Sequence, residues 1–321
     1  MTHFPAHPSS TRRTFLRSGA LAAAGAAMAA SPARIFAQAP DPLAAMRAPA
    51  LTTPITTTKL YDNLFLLQGA GGNMAAQIGP DGKILIDSSY LTAAPRILDA
   101  LKALSADPLD ALINTHWHVD HADGNQAMHQ AGFTIFAHSK TRERLSTPQS
   151  VKLLGISLPA YPAAAWPVVT FDDSLHAFHN GDQLDLVHFA PAHTDTDIYI
   201  HFHNANVLHL GDIWFNGFYP FIDEGTGGNI NGMIAGAATA LTVANSQTKI
   251  IPGHGPLGNK ADLQRYHDML VAVRDKIAAL KSKGLTEMET LAENPTAQFD
   301  DQWGKGFMKP ATFTGIVYRT V

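Results

Sequence analysis

One octapeptide, NTHWHVDH at residues 114–121, decides the fold expected for this chain. Within six positions it carries four side chains that bind metals in proteins: His116, His118, Asp120 and His121. His116 and His118 are two residues apart, so in an extended segment both point to one side and can bind one ion. Asp120 and His121 need a turn, which directs them at a neighbouring point. The octapeptide therefore predicts two adjacent metal ions that share one short loop.

Three further ligand candidates lie later in the chain, each on the loop after a predicted apolar strand. They are His193, Asp212 and His254. Loops beyond the ends of a rigid scaffold are the usual place for functional side chains. Gly253 and Gly255 permit the tight turn that lets His254 reach inward.

The rest of the sequence has the composition and pattern of a globular protein. Hydrophobic residues make up 45% of the 321 residues and charged residues 16%, which excludes a disordered chain. Apolar strand patterns alternate with helical patterns from residue 59 onward, without a shift in composition. This interleaving predicts an α/β layered fold with one continuous core.

Charge and cysteine content exclude several other classes of protein. The formal net charge is −4 and no long basic run is present, so we expect no nucleic-acid partner and no polybasic membrane surface. The chain has no cysteine, which excludes both disulfides and thiolate ligands. Any metal site must therefore use imidazole and carboxylate groups.

The first 39 residues have the pattern of a targeting segment. Arg12 and Arg13 precede an apolar pair, and the Ala- and Gly-rich stretch Gly19–Ala30 follows. That stretch is too short and too weakly apolar to span a bilayer. We interpret residues 1–39 as a twin-arginine signal peptide, which predicts the twin-arginine export machinery as a partner. The mature protein is then periplasmic and has no stable membrane anchor.

The remaining residues divide into three predicted regions. Residues 40–58 are rich in Ala, Pro and Thr and predict a linker. Residues 59–285 carry the strand and helix patterns of the main domain. Residues 286–321 predict a C-terminal helical extension that packs on the same domain.

The ordered set of His and Asp residues resembles the metallo-β-lactamase superfamily. The segment His116–His121 is similar to its signature, and the later His, Asp and His follow in the expected order. The resemblance implies an αββα sandwich that binds two zinc ions. It implies His116, His118 and His193 at the first zinc ion, and Asp120, His121 and His254 at the second. Asp212 then bridges the two ions.

Two zinc ions close together predict a hydrolase of small-molecule substrates. Water shared between them ionises near neutral pH, and the resulting hydroxide attacks a carbonyl. We expect Asp120 to orient this nucleophile. Asn229 lies in a Gly-Gly-Asn element that resembles one that supplies an oxyanion-stabilising group in some β-lactamases, and the alternative is that it forms the N-terminal turn of the helix predicted at Ile230–Leu241. Because ligating imidazoles usually donate their other N–H group, we expect supporting partners; the candidates are Asp87, Thr194 and Asp197.

The sequence leaves the substrate open between several classes. A cyclic amide or ester, that is a β-lactam or a lactone, is the leading expectation. No lysine follows soon after Asp212, and β-lactamases of the superfamily often place one there to hold the substrate carboxylate. A glyoxalase-II-like thioesterase and a mono-iron oxidoreductase of the persulfide dioxygenase type are the alternatives. A non-catalytic periplasmic accessory protein is a further one.

Overall fold

The structure is a computed structural model and describes residues 42–321. Within that range the strands are β1 (Thr56–Lys59), β2 (Leu64–Gln68), β3 (Met74–Gln77), β4 (Lys83–Ile86), β5 (Leu109–Ile113), β6 (Thr134–His138), β7 (Gln149–Val151), β8 (Ile156–Leu158), β9 (Val169–Phe171), β10 (Ser174–His179), β11 (Asp182–His188), β12 (Ile198–Phe202), β13 (Val207–His209), β14 (Lys249–Ile251) and β15 (Gly258–Asn259). The helices of the same range are α1 (Pro42–Arg47), α2 (Ala94–Leu104), α3 (Val119–Ala122), α4 (Asn125–Ala131), α5 (Ser139–Ser146), α6 (Ile230–Val243), α7 (Lys260–Ser282), α8 (Glu287–Ala292), α9 (Asp300–Trp303) and α10 (Pro310–Thr320). None of these helices is long and apolar enough to cross a bilayer.

Two large β-sheets form the centre of the molecule. The first has the strand order β1-β2-β3-β4-β5-β6-β9, and the second has the order β10-β11-β12-β13-β14-β15. In the first sheet β1 to β4 are antiparallel, whereas β4, β5, β6 and β9 run parallel. A separate two-stranded hairpin is formed by β7 and β8. A Gly-Pro-Asp-Gly turn at residues 79–82 joins the antiparallel strands β3 and β4.

Alternating side chains divide each central strand between two apolar cores. Ile84 and Ile86 of β4 join side chains of the second sheet, such as Leu186 and Ile200, in the core between the sheets. Leu85 points the other way and packs in the helix-covered core, with Leu101 of α2. Because successive strand residues face opposite sides, both faces of the sheet are buried. The predicted α/β class with its αββα sandwich is confirmed.

The segment expected to be a linker over residues 40–58 is partly folded. α1 occupies Pro42–Arg47, and Ala50 is buried in the helix-covered core. Arg47 donates from Nε to Asp123 Oδ2 over 2.8 Å, and β1 adds an edge strand to the first sheet. The expectation was therefore wrong for residues 42–58, because a distant ion pair and edge pairing leave no periodic pattern in the local sequence. The predicted signal peptide at residues 1–39 lies outside the described residues.

The C-terminal residues pack onto the same body as the main domain. Phe313 and Ile316 of α10 are fully buried in the helix-covered core. Tyr219 stacks on Phe313 with 4.6 Å between ring centroids. Residues 42–321 therefore form one compact unit that includes the expected C-terminal extension.

Candidate metal centre

The octapeptide places its ligands as an extended segment followed by a turn. It begins at the end of β5, and His118 has extended backbone angles immediately before α3. The first turn of α3 then carries Asp120 and His121. His121 N donates to His118 O over 3.0 Å, which closes the turn. This local geometry directs the two pairs of side chains to neighbouring points, as their spacing predicted.

The seven predicted ligands form two adjacent clusters. In each cluster, one ligand atom from every residue lies within 4.8 Å of the others. The first cluster is His116, His118, His193 and Asp212, and the second is Asp120, His121 and His254. Four of these seven side chains come from the octapeptide and three from the loops after β11, β13 and β14.

Asp212 lies between the two clusters and faces both. Its Oδ2 lies 3.4 Å from His193 Nε2 in the first cluster and 3.4 Å from His254 Nε2 in the second. Its Oδ1 lies 3.1 Å from His121 Nε2. Only 5% of the Asp212 side chain is exposed, so its charge needs partners within the site. This position fits a carboxylate that two cations share.

The donor atoms of the first cluster fit a bound cation. His116 Nε2 is buried and has no hydrogen-bond partner among the described residues. Three imidazoles and a carboxylate are a ligand set that zinc accepts. The second cluster offers two imidazoles and a carboxylate beside it. The residues of both clusters therefore fit divalent metal ions.

A glycine-rich turn, Gly69–Asn73, fixes the two ligand loops against each other. Gly72 N donates to Asp120 O over 3.1 Å, and Asn73 Nδ2 donates to Pro252 O over 2.9 Å. A Cβ at Gly72 would lie 2.1 Å from the ring of His121, so only glycine permits this approach. The turn is tied down by these contacts and holds the second cluster from one side.

Buried acceptors orient the imidazoles of the clusters. Asp87 Oδ2 lies 2.7 Å from His121 Nδ1 and also accepts from Thr115 Oγ1 over 2.7 Å. His193 Nδ1 lies 2.8 Å from Phe221 O. Such contacts fix which ring nitrogen carries the proton and leave the other free for a metal. Asp87, a predicted supporting residue, thus contacts a ligand directly.

The other two predicted supporting residues act on the backbone instead. Asp197 accepts from His193 N over 2.9 Å and from Thr194 N over 2.8 Å, and Thr194 Oγ1 donates to Asp197 Oδ1 over 2.6 Å. These bonds build the tight turn on which His193 lies. Among the described residues, neither Thr194 nor Asp197 forms a hydrogen bond with an imidazole ring. Burial raises the pKa of Asp197 to about 7, against the effect of the bonds from Thr194.

Asp223 is a supporting residue that the sequence did not predict. Its Oδ2 lies 3.1 Å from His118 Nε2, and its side chain is nearly buried. His118 Nδ1 in turn lies 2.8 Å from His193 Nε2 within the first cluster. Asp223 follows no strand and lies in no ligand motif, so no local signal indicated this contact.

Charge and burial set different proton occupancies in the two clusters. Burial lowers the pKa of His193 to about 4, despite the opposing effect of Asp212. Burial also disfavours protonation of His254, but Asp212 and Asp120 outweigh it and raise the pKa to about 10. The imidazole of His193 is therefore neutral at pH 7, the form that binds metals, whereas a cation at His254 must displace a proton.

Asn229 has a structural position that differs from the predicted oxyanion role. It is the N-cap of α6, where its Oδ1 accepts from Gly232 N over 2.8 Å. Its Nδ2 donates to Pro191 O over 2.9 Å. Asn229 is not among the residues that line the cavity at the clusters. Both halves of the amide are thus engaged in holding the start of the helix.

The clusters open into one cavity of about 420 Å³. Asp120, Asp212 and His254 line its floor, and apolar side chains form most of the remaining wall. The volume lies within the range of small-molecule sites. The centre is therefore accessible to a substrate of modest size.

Comparison with known proteins agrees with this arrangement. The family model "Metallo-beta-lactamase superfamily" matches residues 70–262, more than half of the chain. The stereoselective inverting sec-alkylsulfatase Pisa1 from Pseudomonas sp. is 18% identical, with a TM-score of 0.65 over 83% of this chain and 50% of that one. The metallo-beta-lactamase from Pontibacter korlensis is 16% identical, with a TM-score of 0.56 over 68% of this chain and 99% of that one.

A third solved structure, the DIM-1 metallo-beta-lactamase, is 18% identical, with a TM-score of 0.52 over 68% of this chain and 97% of that one. The chain spans about half the length of the alkylsulfatase that it matches. At these identities the structural likenesses indicate the fold alone. The family match covers all seven predicted ligands, from His116 to His254. The chain belongs to the metallo-β-lactamase superfamily and has the paired His and Asp clusters of a metal-dependent hydrolase.

Proposed function

We propose that this protein is a zinc-dependent hydrolase that cleaves the carbonyl–heteroatom bond of a cyclic ester or amide, namely a lactone or a β-lactam. The observation that supports this most strongly is the position of Asp212 between two clusters of imidazole and carboxylate groups. The second supporting observation is that both clusters open into a substrate-sized cavity.

The residues present fit two zinc ions. His116, His118 and His193 would hold the first, Asp120, His121 and His254 the second, and Asp212 both. When bound, the two ions supply hydroxide at neutral pH and polarise the carbonyl oxygen.

The side chains around the clusters position the reacting groups. Asp120 Oδ2 lies 3.2 Å from His254 Nε2, and 18% of the Asp120 side chain is exposed towards the cavity. Asp120 would therefore be able to accept a hydrogen bond from the attacking water, in addition to serving as a ligand of a second metal ion. The buried rings of His116, His121 and His193 exclude bulk water from the other side.

Hydrolysis by the zinc-loaded protein tests the proposal. We would follow a chromogenic cephalosporin, a panel of lactones, a thioester and a secondary alkyl sulfate, with Asp120→Ala as the inactive control. We expect zinc-dependent ring opening that Asp120→Ala abolishes. Failure to open any lactone or lactam, in protein that holds two zinc ions, would overturn the proposal.

Substrate assays and metal analysis together separate the alternatives. A glyoxalase-II-like thioesterase would use the same two ions and would show itself in the thioester assay. A mono-iron oxidoreductase of the persulfide dioxygenase type would hold one iron per chain and consume dioxygen. The second cluster, with Asp120 as a third ligand beside His121 and His254, favours two ions. One stoichiometric iron per chain would contradict the zinc proposal.

We also propose that residues 1–39 direct the folded protein to the periplasm through the twin-arginine machinery. Arg12 and Arg13 support this, because they precede an apolar stretch in the expected order. A double Arg12→Lys, Arg13→Lys variant keeps the charge and should remain in the cytoplasm. Unchanged fractionation of that variant would contradict the proposal.

A further inference from the structure

The wall of the cavity comes from three segments that are remote in sequence. Met46 of α1 contributes from the N-terminal side, Leu154 and Ile156 from the β7–β8 hairpin, and Phe307 and Met308 from the loop before α10. The first and third segments lie outside residues 70–262, the part that matches the family. The wall therefore includes side chains from outside the region that the family model matches.

No lysine or arginine lines this cavity among residues 42–321. The nearby cations Lys152 and Arg319 line a separate cleft. Tyr219 presents its ring to the cavity, but its hydroxyl donates to Asp300 Oδ1 over 2.8 Å and is already satisfied. A carboxylate or sulfate group that entered the wall region would lose its hydration without gaining a cation. Burial of an unpaired charge is strongly unfavourable, so this region excludes anionic groups.

An exposed aromatic ring marks the mouth of the cavity. Phe307 lines the cavity and is 69% exposed. The loop that carries it is pressed onto Phe218, because a Cβ at Gly306 would lie 2.4 Å from that ring. The position of Phe307 is therefore set by packing behind it. An apolar substrate group that enters the cavity would cover its exposed ring and gain from that burial.

We propose that the cavity binds the apolar chain of an uncharged lactone or ester, whose carbonyl then lies at the two metal clusters. This inference rests on the proposed function and names its substrate class. In the reaction the bond from the carbonyl carbon to the ring oxygen breaks, and a bond from that carbon to the oxygen of water forms. The departing alkoxide takes a proton, and the product is a hydroxy acid.

A homologous series of neutral γ-alkyl-γ-lactones tests the proposal. We expect kcat/KM to rise about fourfold for each added methylene until the cavity is full, equivalent to ~0.8 kcal/mol per buried methylene. Lactones of equal length that end in a carboxylate should show no such rise. A flat series, or a preference for the carboxylated lactones, would overturn the proposal.

Two phenylalanine variants provide a matched comparison. Phe307→Ala should lower kcat/KM for the longest lactone about tenfold and leave the shortest nearly unchanged. Phe178→Ala removes a ring that is 78% exposed on β10 and does not line the cavity, so the whole series should be unchanged. Equal effects of the two variants would contradict a role for the cavity wall.

Binding of non-hydrolysable ketones separates this proposal from the proposed function. Calorimetric titration with 2-alkylcyclopentanones should show affinity that rises with chain length and falls in Phe307→Ala. If the ketones bind in this way but no lactone is cleaved, the hydrolase proposal fails and the apolar site stands. If lactones are cleaved but neither their turnover nor ketone affinity depends on chain length, the apolar site fails and the hydrolase stands.

Discussion

The substitution Asp87→Asn should selectively weaken the second metal site. Asp87 is fully buried directly after β4 and has a backbone φ of 63°. Asparagine is among the few residues that tolerate this left-handed conformation. The replacement therefore preserves shape and backbone, and changes one carboxylate oxygen into an NH₂ group.

The geometry predicts what that change does to His121. Oδ1 of Asp87 accepts from Thr115 N over 2.7 Å, and an asparagine oxygen would keep this bond. Oδ2 lies 2.7 Å from His121 Nδ1, so the new NH₂ group would face that ring nitrogen. Nδ1 of His121 can accept a hydrogen bond from this NH₂ group only when it carries no proton. The proton of the neutral ring must then be on Nε2, the atom that lies 3.1 Å from Asp212 Oδ1. The second cluster then loses one ligand atom.

The expected effect is a loss of zinc affinity at one site. Replacing a partner of a ligating histidine typically weakens metal binding about 10- to 100-fold, or ~1.4 to ~2.8 kcal/mol. We would titrate the zinc-free protein with zinc in competition with a chromogenic chelator, which resolves the two binding steps. The first step should keep its Kd, and the second should weaken by the stated factor.

A matched control separates this effect from general destabilisation. Asp182→Asn also removes a nearly buried carboxylate, one that accepts from Asn204 N over 2.7 Å and contacts no ligand. Both steps should keep their Kd in that variant. Two unchanged steps in Asp87→Asn, or equal weakening of both, would refute the assigned role of Asp87.

Three other predictions follow from the site and its surroundings. Asn229→Ala should lower the free energy of unfolding by about 1 kcal/mol through loss of the α6 cap, while hydrolysis stays unchanged. Denaturant unfolding measures this, with Asn231→Ala, at an exposed position that does not cap the helix, as the control. A large loss of turnover in Asn229→Ala would restore the oxyanion role. Zinc at about 100 times its Kd should stabilise the folded protein by about 2.7 kcal/mol for each site that binds it, and chelation should remove this gain; a thermal midpoint that does not respond to zinc would contradict the metal centre. The rings of His138 and His188 are stacked with centroids 3.8 Å apart, and burial lowers the pKa of both. The unfolded chain therefore binds more protons than the folded one, so the free energy of unfolding should fall as pH drops below about 6.5. In thermal unfolding between about pH 7 and about pH 5, His188→Phe should reduce this fall, and an unchanged fall would show that the pair does not contribute.

Four of the seven ligands of the metal centre were predictable because their spacing is local. His116 and His118 alternate along an extended segment, and the turn of α3 brings Asp120 and His121 beside them. Physical rules that relate sequence spacing to direction suffice for such residues. His193, Asp212 and His254 are remote from this segment, and their prediction rested on apolar strands that precede them and on the order that resembles the superfamily.

The parts that were not predictable depend on contacts between distant residues. Asp223 reaches His118 from an irregular segment, and its sequence neighbourhood gives only a turn signal. Met46 lies in a stretch whose composition indicates a linker, yet α1 packs against the cavity. Asn229 directly precedes a helix, so a capping role and an oxyanion role share one sequence pattern. The two roles are distinguished only by the structure, in which Asn229 Nδ2 donates to Pro191 O and Asn229 does not line the cavity at the metal clusters.

The attachment of α1 links the wall of the cavity to the metal loop. Asp123 is the C-cap of α3, the helix that carries Asp120 and His121, and it accepts from Arg47 at the end of α1. The same carboxylate accepts from Tyr161 over 3.1 Å. Met46 is next to Arg47 and lines the cavity, so the bond from Arg47 to Asp123 attaches it to α3, the helix that carries Asp120 and His121. A substitution of Met46 should therefore alter the apolar wall and leave the contact with the metal loop in place, whereas a substitution of Arg47 or Asp123 should disturb both.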